Sequence, residues 1–311
     1  MQPLFQDELQ VVLDRSRVLL AHIVCDTVCP GSQRRRCSFY MADCDVPAPG
    51  APVWSGALAA LERTIDKLPA TAASVRVVLS DLFVTYSIVP WRPGLNGESA
   101  RRIALDDHFL NVFGDAAKGW VINASHEREG HPLLACAVDS SLLMALRTLW
   151  ARYDISRTAV LPHLSSIFNR YRHRLIVSAG WIVSVEANSL CVGLFDQGGW
   201  ILVNVTPFAP AWQIDLATLL ERYRSLANSP CEANRVFLWA PEQSRARIDG
   251  KGRFHIWRLD RPTALFGPQW LRAHFDLDAD VDCGWSGHPN AASRIPKAAG
   301  PATDPPPPDD T

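Results

Sequence analysis

Cys25, Cys29, Cys37 and Cys44 place four thiols within twenty residues, a density that could hold a zinc ion. Tetrahedral zinc sites are usually built from paired Cys-x2-Cys knuckles, and this run reads Cys-x3-Cys-x7-Cys-x6-Cys. The spacing favours buried apolar thiols instead, with Cys25 and Cys37 near strand ends. Asp106-Asp107-His108 offers a second set of metal-ligating types. Neighbours on a helix point in different directions, so these three read as a solvated face. His163 follows Pro162 and reads as the first residue of a helix and not as a general base. The phosphate-binding loop Gly-x-x-x-x-Gly-Lys-Ser/Thr, the zinc-protease motif His-Glu-x-x-His and the hydrolase elbow Gly-x-Ser-x-Gly are all missing from the sequence. No enzymatic signature stands out, and the expectation is a protein without catalysis.

Composition narrows the classes further. The chain has 311 residues, 48% of them hydrophobic and 20% charged, the balance of a folded globular protein. The net charge of -1 gives no footprint for a phosphate backbone, so nucleic acid is not an expected partner. Arg34-Arg35-Arg36 reads as a solvated run. Met1 to Glu8 carries two acids and no apolar stretch, and the longest apolar runs, such as Leu175 to Val185, fall short of the roughly 20 residues that span a bilayer. A cytoplasmic protein with reduced cysteines and no membrane insertion is expected.

The elements that would position these residues follow from periodicity. Val11 to Leu13 and Val18 to Val24 read as strands about the turn Asp14-Arg15-Ser16-Arg17, with Cys37 to Ala42 as a third. Trp54, Leu58, Leu61, Ile65 and Leu68 recur at helical spacing. Val75 to Trp91 reads as a strand pair hinged at Ser80-Asp81 and stopped by Pro90. Arg101 to Phe113 reads as an amphipathic helix with Ile103, Leu105, Phe109, Leu110 and Phe113 on its apolar side. Gly119 to Ala124 and Leu133 to Val138 are further strands, and Ser140 to Tyr153 a helix.

Near residue 155 the pattern starts again. Ile155 to Leu161 is a strand and Ser165 to Arg172 a helix. Strands follow at Trp181 to Val185, Leu190 to Phe195 and Trp200 to Val205, with turns at Glu186-Ala187-Asn188-Ser189 and Asp196-Gln197-Gly198-Gly199. Helix Trp212 to Ala227 leads to strands Val236 to Trp239 and Phe254 to Leu259. The predicted organisation is an α/β chain of mixed sheets flanked by helices, with halves at 1–154 and 155–285 and a Pro-rich tail at 286–311 that has little to bury.

The Val75 to Trp91 run, Val-Arg-Val-Val-Leu-Ser-Asp-Leu-Phe-Val-Thr-Tyr-Ser-Ile-Val-Pro-Trp, resembles a signature of the PilM/GspL-type proteins of type IV pilus and type II secretion assembly. The resemblance implies an actin-like fold, two ribonuclease-H-like halves around a cleft. Nucleotide-binding members of that superfamily hold phosphates and metal with two Asp-x-Gly-type hairpin turns, and adenosine with a Gly-Gly turn after a later strand. This sequence departs from all three. Asp14-Arg15-Ser16-Arg17 and Glu186-Ala187-Asn188-Ser189 keep an acid but lack the glycine, and Ala240-Pro241-Glu242 stands where the Gly-Gly turn would lie. Asp14 and Glu186 are thus the candidate residues of degenerate phosphate turns, with no bound cofactor expected and ATP with Mg²⁺ as the alternative. The resemblance implies a noncatalytic cytoplasmic scaffold, held peripherally at the inner membrane by a partner, either an inner-membrane assembly protein or a motor ATPase. Its alternative is an ATP-binding or phosphotransfer protein of the same superfamily; a zinc-stabilised module is the third reading. Among eleven tryptophans, Trp91 beside Pro90 and Trp212 at a helix start are the candidate partner contacts.

Overall fold

The computed structural model describes residues 7–29, 32–68, 72–92, 97–125, 130–175, 179–196, 199–207, 212–228, 231–243, 248, 250–259, 274–275 and 282–285, with backbone alone at 25–29, 32–34 and 282–285. The Pro-rich segment 286–311 and the tip of the Asp196 to Gly199 turn lie outside the described residues.

The first sheet begins as an antiparallel meander of β1 (Glu8–Leu13), β2 (Arg17–Cys29) and β3 (Ser32–Asp43). Helix α1 (Ser55–Ile65) returns the chain so that β4 (Ser74–Leu79) pairs parallel to β1. The chain then leaves this sheet for β5 (Val84–Val89), α2 (Glu98–Phe113), β6 (Trp120–Ala124) and β7 (Leu133–Asp139), an antiparallel sheet of order β5-β7-β6. Helix α3 (Ser140–Arg152) brings it back as β8 (Arg157–Pro162), parallel to β4. Strand β14 (Asp282–Trp285) adds to the outer edge of β3, giving the order β14-β3-β2-β1-β4-β8.

Helix α4 (His163–Leu175) opens the second sheet. There β9 (Gly180–Val185), β10 (Ser189–Asp196) and β11 (Gly199–Pro207) form another antiparallel meander. Helix α5 (Trp212–Ala227) is followed by β12 (Arg235–Trp239), parallel to β9, and β13 (His255–Arg258), parallel to β12. The order β11-β10-β9-β12-β13 repeats the wiring β3-β2-β1-β4-β8 of the first sheet, with β5 through β7 and α2 as an insertion between β4 and α3.

Burial follows the layers. Every residue of β9 is buried, because one face packs Trp181, Val183 and Val185 against α5 while the other turns Ile182 toward Cys191, Phe195 and the α4 residues Leu164 and Ile167. A strand covered on both faces reads as a continuous apolar run, which is what Gly180 to Val185 shows. In the first sheet α1 and α3 cover one face, with Trp150, Leu146 and Leu61 packed on Val11, Val77 and Leu79. Each fully buried large apolar side chain contributes about 1.5 to 3 kcal/mol.

Two sequence expectations need correction. Val75 to Trp91 is not a strand pair: β4 and β5 lie in different sheets, and β5 pairs with β7. Between them Asp81–Phe83 forms a 3-10 turn, because Ser80 Oγ accepts from Leu82 N at 3.3 Å and Phe83 N donates to the Ser80 carbonyl at 2.9 Å. Leu82 and Phe83 therefore break the alternation of the run. The apolar side of α2 is also only half used. Leu105 and Phe109 are buried, whereas Ile103 is 62% and Leu110 41% exposed, since α2 has only a small sheet to cover.

Candidate functional site

The β1–β2 and β9–β10 turns occupy equivalent places in the two sheets, and each closes on itself. Asp14 N donates to the Arg17 carbonyl at 3.0 Å, and Glu186 N to the Ser189 carbonyl at 2.9 Å. The acid of each turn then meets the other half. Asp14 Oδ1 accepts from Ser16 N at 2.8 Å and Ser16 Oγ at 2.7 Å within its own turn, and from Asn188 Nδ2 at 3.2 Å across the cleft. Glu186 Oε2 accepts from Ser189 Oγ at 2.7 Å in its own turn, and from Ser80 Oγ at 2.9 Å and Asp81 N at 3.0 Å across it. The two turns thus lie against each other, with Asp14 and Glu186 both buried.

Three residues absent from the sequence-level site complete it. Parallel pairing brings the C-terminal ends of β4 and β8 side by side, which puts Ser80-Asp81 and His163 next to the Glu186 turn. This is the edge where open α/β sheets gather functional groups. His163 Nδ1 lies 3.2 Å from Glu186 Oε1, 3.8 Å from Asp81 Oδ2 and 3.1 Å from Ser184 Oγ. Asp81 Oδ1 accepts from Tyr86 OH at 2.5 Å and from Leu164 N at 3.0 Å, at the start of α4. His163 is the first residue of α4, as expected, but it is also 3% exposed and faces two carboxylates. The signal available in the sequence was positional: Ser80-Asp81 and His163 are polar residues placed directly after apolar strands.

Large and charged groups pack around the two turns. Trp239 at the end of β12 lies edge-on to His163 with ring centroids 4.4 Å apart, and His274 lies 4.8 Å from Trp239 and 6.3 Å from His163. Arg17 forms an ion pair with Glu242 in the 3-10 turn Pro241–Gln243, joining the first hairpin to the segment where a Gly-Gly turn would lie.

Burial governs the charges. It pushes the Asp81 carboxyl up to about 6, with the Glu186 charge adding to the rise and His163, Tyr86 and the Leu164 N–H opposing it. Glu186 rises to about 7 through burial and then the Asp14 charge, against its hydroxyl and N–H donors. Burial lowers His163 despite the Asp81 and Asp14 charges, and lowers His274 well below the usual histidine range. Asp81, His163 and Glu186 offer ligand atoms within 4.8 Å of one another, a set that could hold a metal ion or share a proton.

The other candidate residues lie elsewhere. Trp91 follows β5 on the inserted unit and is half-buried. Trp212 is 2% exposed, packs in the core of the second sheet and donates from Nε1 to Gln243 Oε1 at 2.9 Å; it is a core residue and not a surface contact. Asp106 pairs with Arg102 at 3.2 Å on the exposed side of α2, while His108 Nε2 meets Ser87 Oγ at 2.8 Å. Cys37 is buried in a core with Phe39 and Ile23, and the half-buried Cys44 thiol donates to the Asp14 carbonyl at 3.6 Å. The side chains of Cys25 and Cys29 lie outside the described residues. Among the described residues, no helix is long and apolar enough to cross a membrane.

No protein-family profile and no curated protein matches the sequence. Solved structures do resemble the chain. A Bacteroides thetaiotaomicron protein with an actin-like ATPase fold and unknown function superposes with TM-score 0.54 at 9% identity, over 87% of this chain and 96% of that one. A chain of the PilM-PilN type IV pilus biogenesis complex superposes with TM-score 0.53 at 12% identity, over 75% of this chain and 80% of that one. The cytoplasmic domain of EpsL, an inner-membrane component of the Vibrio cholerae type II secretion system, covers 86% of this chain and 94% of its own at 13% identity and TM-score 0.47. Two sheets of identical wiring, joined where their first hairpins meet, together with the superpositions on the Bacteroides protein and the PilM-PilN chain, give this chain the actin-like fold.

Proposed function

We propose that the chain is a noncatalytic scaffold of a type IV pilus or type II secretion-like assembly platform, a divergent relative of the PilM/GspL-type proteins. The observation that carries the reading is the state of the cleft. Glu186 itself takes up the Ser80 hydroxyl, the Asp81 N–H and the Ser189 hydroxyl, donors of the kind a bound phosphate would need. Trp239 and Pro241 stand where a nucleotide base would need a small, open turn. The superposition on a chain of the PilM-PilN complex supports a role in binding a partner.

The inserted unit is the partner-facing element in this reading. It carries Trp91, and Ile103 and Leu110 seven residues apart on the exposed side of α2. The partner is a cytoplasmic segment of an inner-membrane assembly protein or a motor ATPase, through which the chain reaches the membrane. Pull-down from envelope fractions tests this directly. Recovery of a pilus or secretion component is expected, and recovery of none in repeated preparations overturns it.

One observation favours the second reading, an ATP-binding or phosphotransfer protein: Asp14 and Glu186 do share a cleft. Calorimetry with ATP and Mg²⁺ separates the two. The scaffold reading expects no heat at millimolar nucleotide, and saturable binding selects the second.

A further inference from the structure

Both buried carboxylates of the cleft are held by one oxygen and leave the other facing the same imidazole nitrogen. Glu186 Oε2 carries the Ser80, Asp81 and Ser189 donors, so Oε1 is left toward His163 Nδ1 at 3.2 Å. Asp81 Oδ1 carries Tyr86 OH and Leu164 N, so Oδ2 is left toward the same nitrogen at 3.8 Å. Among the described residues, no N–H or O–H donor reaches Asp81 Oδ2, although its side chain is 0% exposed. The Cys191 thiol, a weak donor, is the remaining group beside that carboxylate.

The geometry points to a buried site for one divalent first-row transition-metal ion, zinc foremost, held by His163 Nδ1, Asp81 Oδ2 and Glu186 Oε1. Ligand atoms about 2.0 to 2.2 Å from a tetrahedral zinc stand about 3.3 Å apart, close to the separations from Nδ1 found here. Ligating carboxylates are ordinarily oriented by hydrogen bonds to their second oxygens, and both carboxylates already have them. A neutral imidazole with two carboxylates suits zinc, manganese or iron better than a soft ion. Ser184 Oγ, 3.1 Å from Nδ1, or a water is placed to fill the fourth position.

The charges agree with the geometry. Once deprotonated to ligate, two carboxylates and a neutral imidazole carry a formal charge of -2, which a divalent ion cancels. The ligands also come from different parts of the fold. Asp81 follows β4 of the first sheet, His163 begins α4, and Glu186 follows β9 of the second. The ion would tie residues of the first and second sheets together through three buried ligands. It is independent of the scaffold reading, and either can fail without the other.

The test is metal analysis of the tag-free full-length chain, purified without chelator. About one zinc, manganese or iron per chain is expected. After chelator dialysis, zinc at a hundredfold excess over its Kd should raise Tm by about 5 °C. Asp81→Asn and His163→Asn should each weaken zinc about a hundredfold or more. Cys37→Ser with Cys44→Ser should leave it unchanged. If the cleft variants do not fold, cobalt bound to the wild-type protein still reports its ligands by visible absorption. Bands of an oxygen and nitrogen set support the site, and a thiolate-to-cobalt charge-transfer band overturns it. Absence of metal with no Tm shift by zinc or manganese also overturns it, as does full zinc affinity in a folded His163→Asn protein.

Discussion

Glu186 Oε1 stands 3.2 Å from His163 Nδ1 while Glu186 Oε2 receives three donors, two of them from the opposite half of the molecule. One side chain from the second sheet therefore satisfies the end of β4 in the first. These bonds form a joint between the second sheet and the first.

Replacing that side chain should expose the joint. Glu186→Ala strands the Ser80 hydroxyl, the Asp81 N–H and the Ser189 hydroxyl in a buried site, at a cost of about 3 kcal/mol in unfolding free energy. Glu186→Gln keeps an acceptor for those donors and should cost about 1 kcal/mol in metal-free protein. Urea denaturation of both variants measures the difference. Equal losses would mean that the donors find other partners and the joint is weak.

The same carboxyl makes metal-free protein sensitive to pH. Glu186 rises from an ordinary 4.5 to about 7, and Asp81 from 3.8 to about 6, chiefly because burial disfavours the charged form. The folded state then holds protons that the unfolded chain releases. Their contribution is complete below about pH 4, and it is lost as pH rises through 6 and 7. In chelator, the stability difference between wild type and Glu186→Gln should therefore shift against the wild type from pH 5 toward pH 8. Denaturant midpoints across that range check the sign, and a shift in the opposite direction refutes it.

Trp91 and Trp212 should separate cleanly. Trp212→Ala removes a 2% exposed indole from the core of the second sheet, and about 3 to 5 kcal/mol of stability with it. Trp91→Ala, half-buried beyond β5, should cost about 1 kcal/mol while reducing partner recovery in the pull-down. Thermal melts alongside the pull-down distinguish the two. A Trp91→Ala protein with normal partner recovery removes that residue from the interface.

Much of the fold was legible because its signals are local. The β9 to β11 meander announces itself by apolar runs broken at Glu186 to Ser189, and α5 has the predicted bounds of Trp212 and Ala227. The strand pairings are nonlocal, and there the reading failed. Nothing within Val75 to Trp91 says that its two strands serve different sheets, since that depends on β7, more than forty residues later. The site shows the same division. Asp14 and Glu186 sit in turns that local chemistry marks, whereas Asp81 and His163 matter only because β4 and β8 end side by side. Trp212 differs from expectation for a related reason: a tryptophan at a helix start can face a partner or the core, and only the position of Gln243 and the second sheet decides.

Restoring glycine to the hairpin turns should not restore nucleotide binding. In Ser16→Gly with Asn188→Gly, each turn carries, two residues after its acid, the residue type that lets backbone N–H groups approach a phosphate. The donors across the cleft nevertheless remain committed, because Glu186 Oε2 still holds Ser80 Oγ at 2.9 Å and Asp81 N at 3.0 Å. A phosphate would have to displace that carboxylate and bring its own negative charge beside Asp14 and Asp81. The Arg17–Glu242 ion pair and the Trp239 indole also stay in place in the double variant. Calorimetry of the double variant with ATP and Mg²⁺ should stay flat at millimolar nucleotide. Saturable heat would show that the missing glycines alone had closed the site, and that the side-chain network forms only because no nucleotide competes with it.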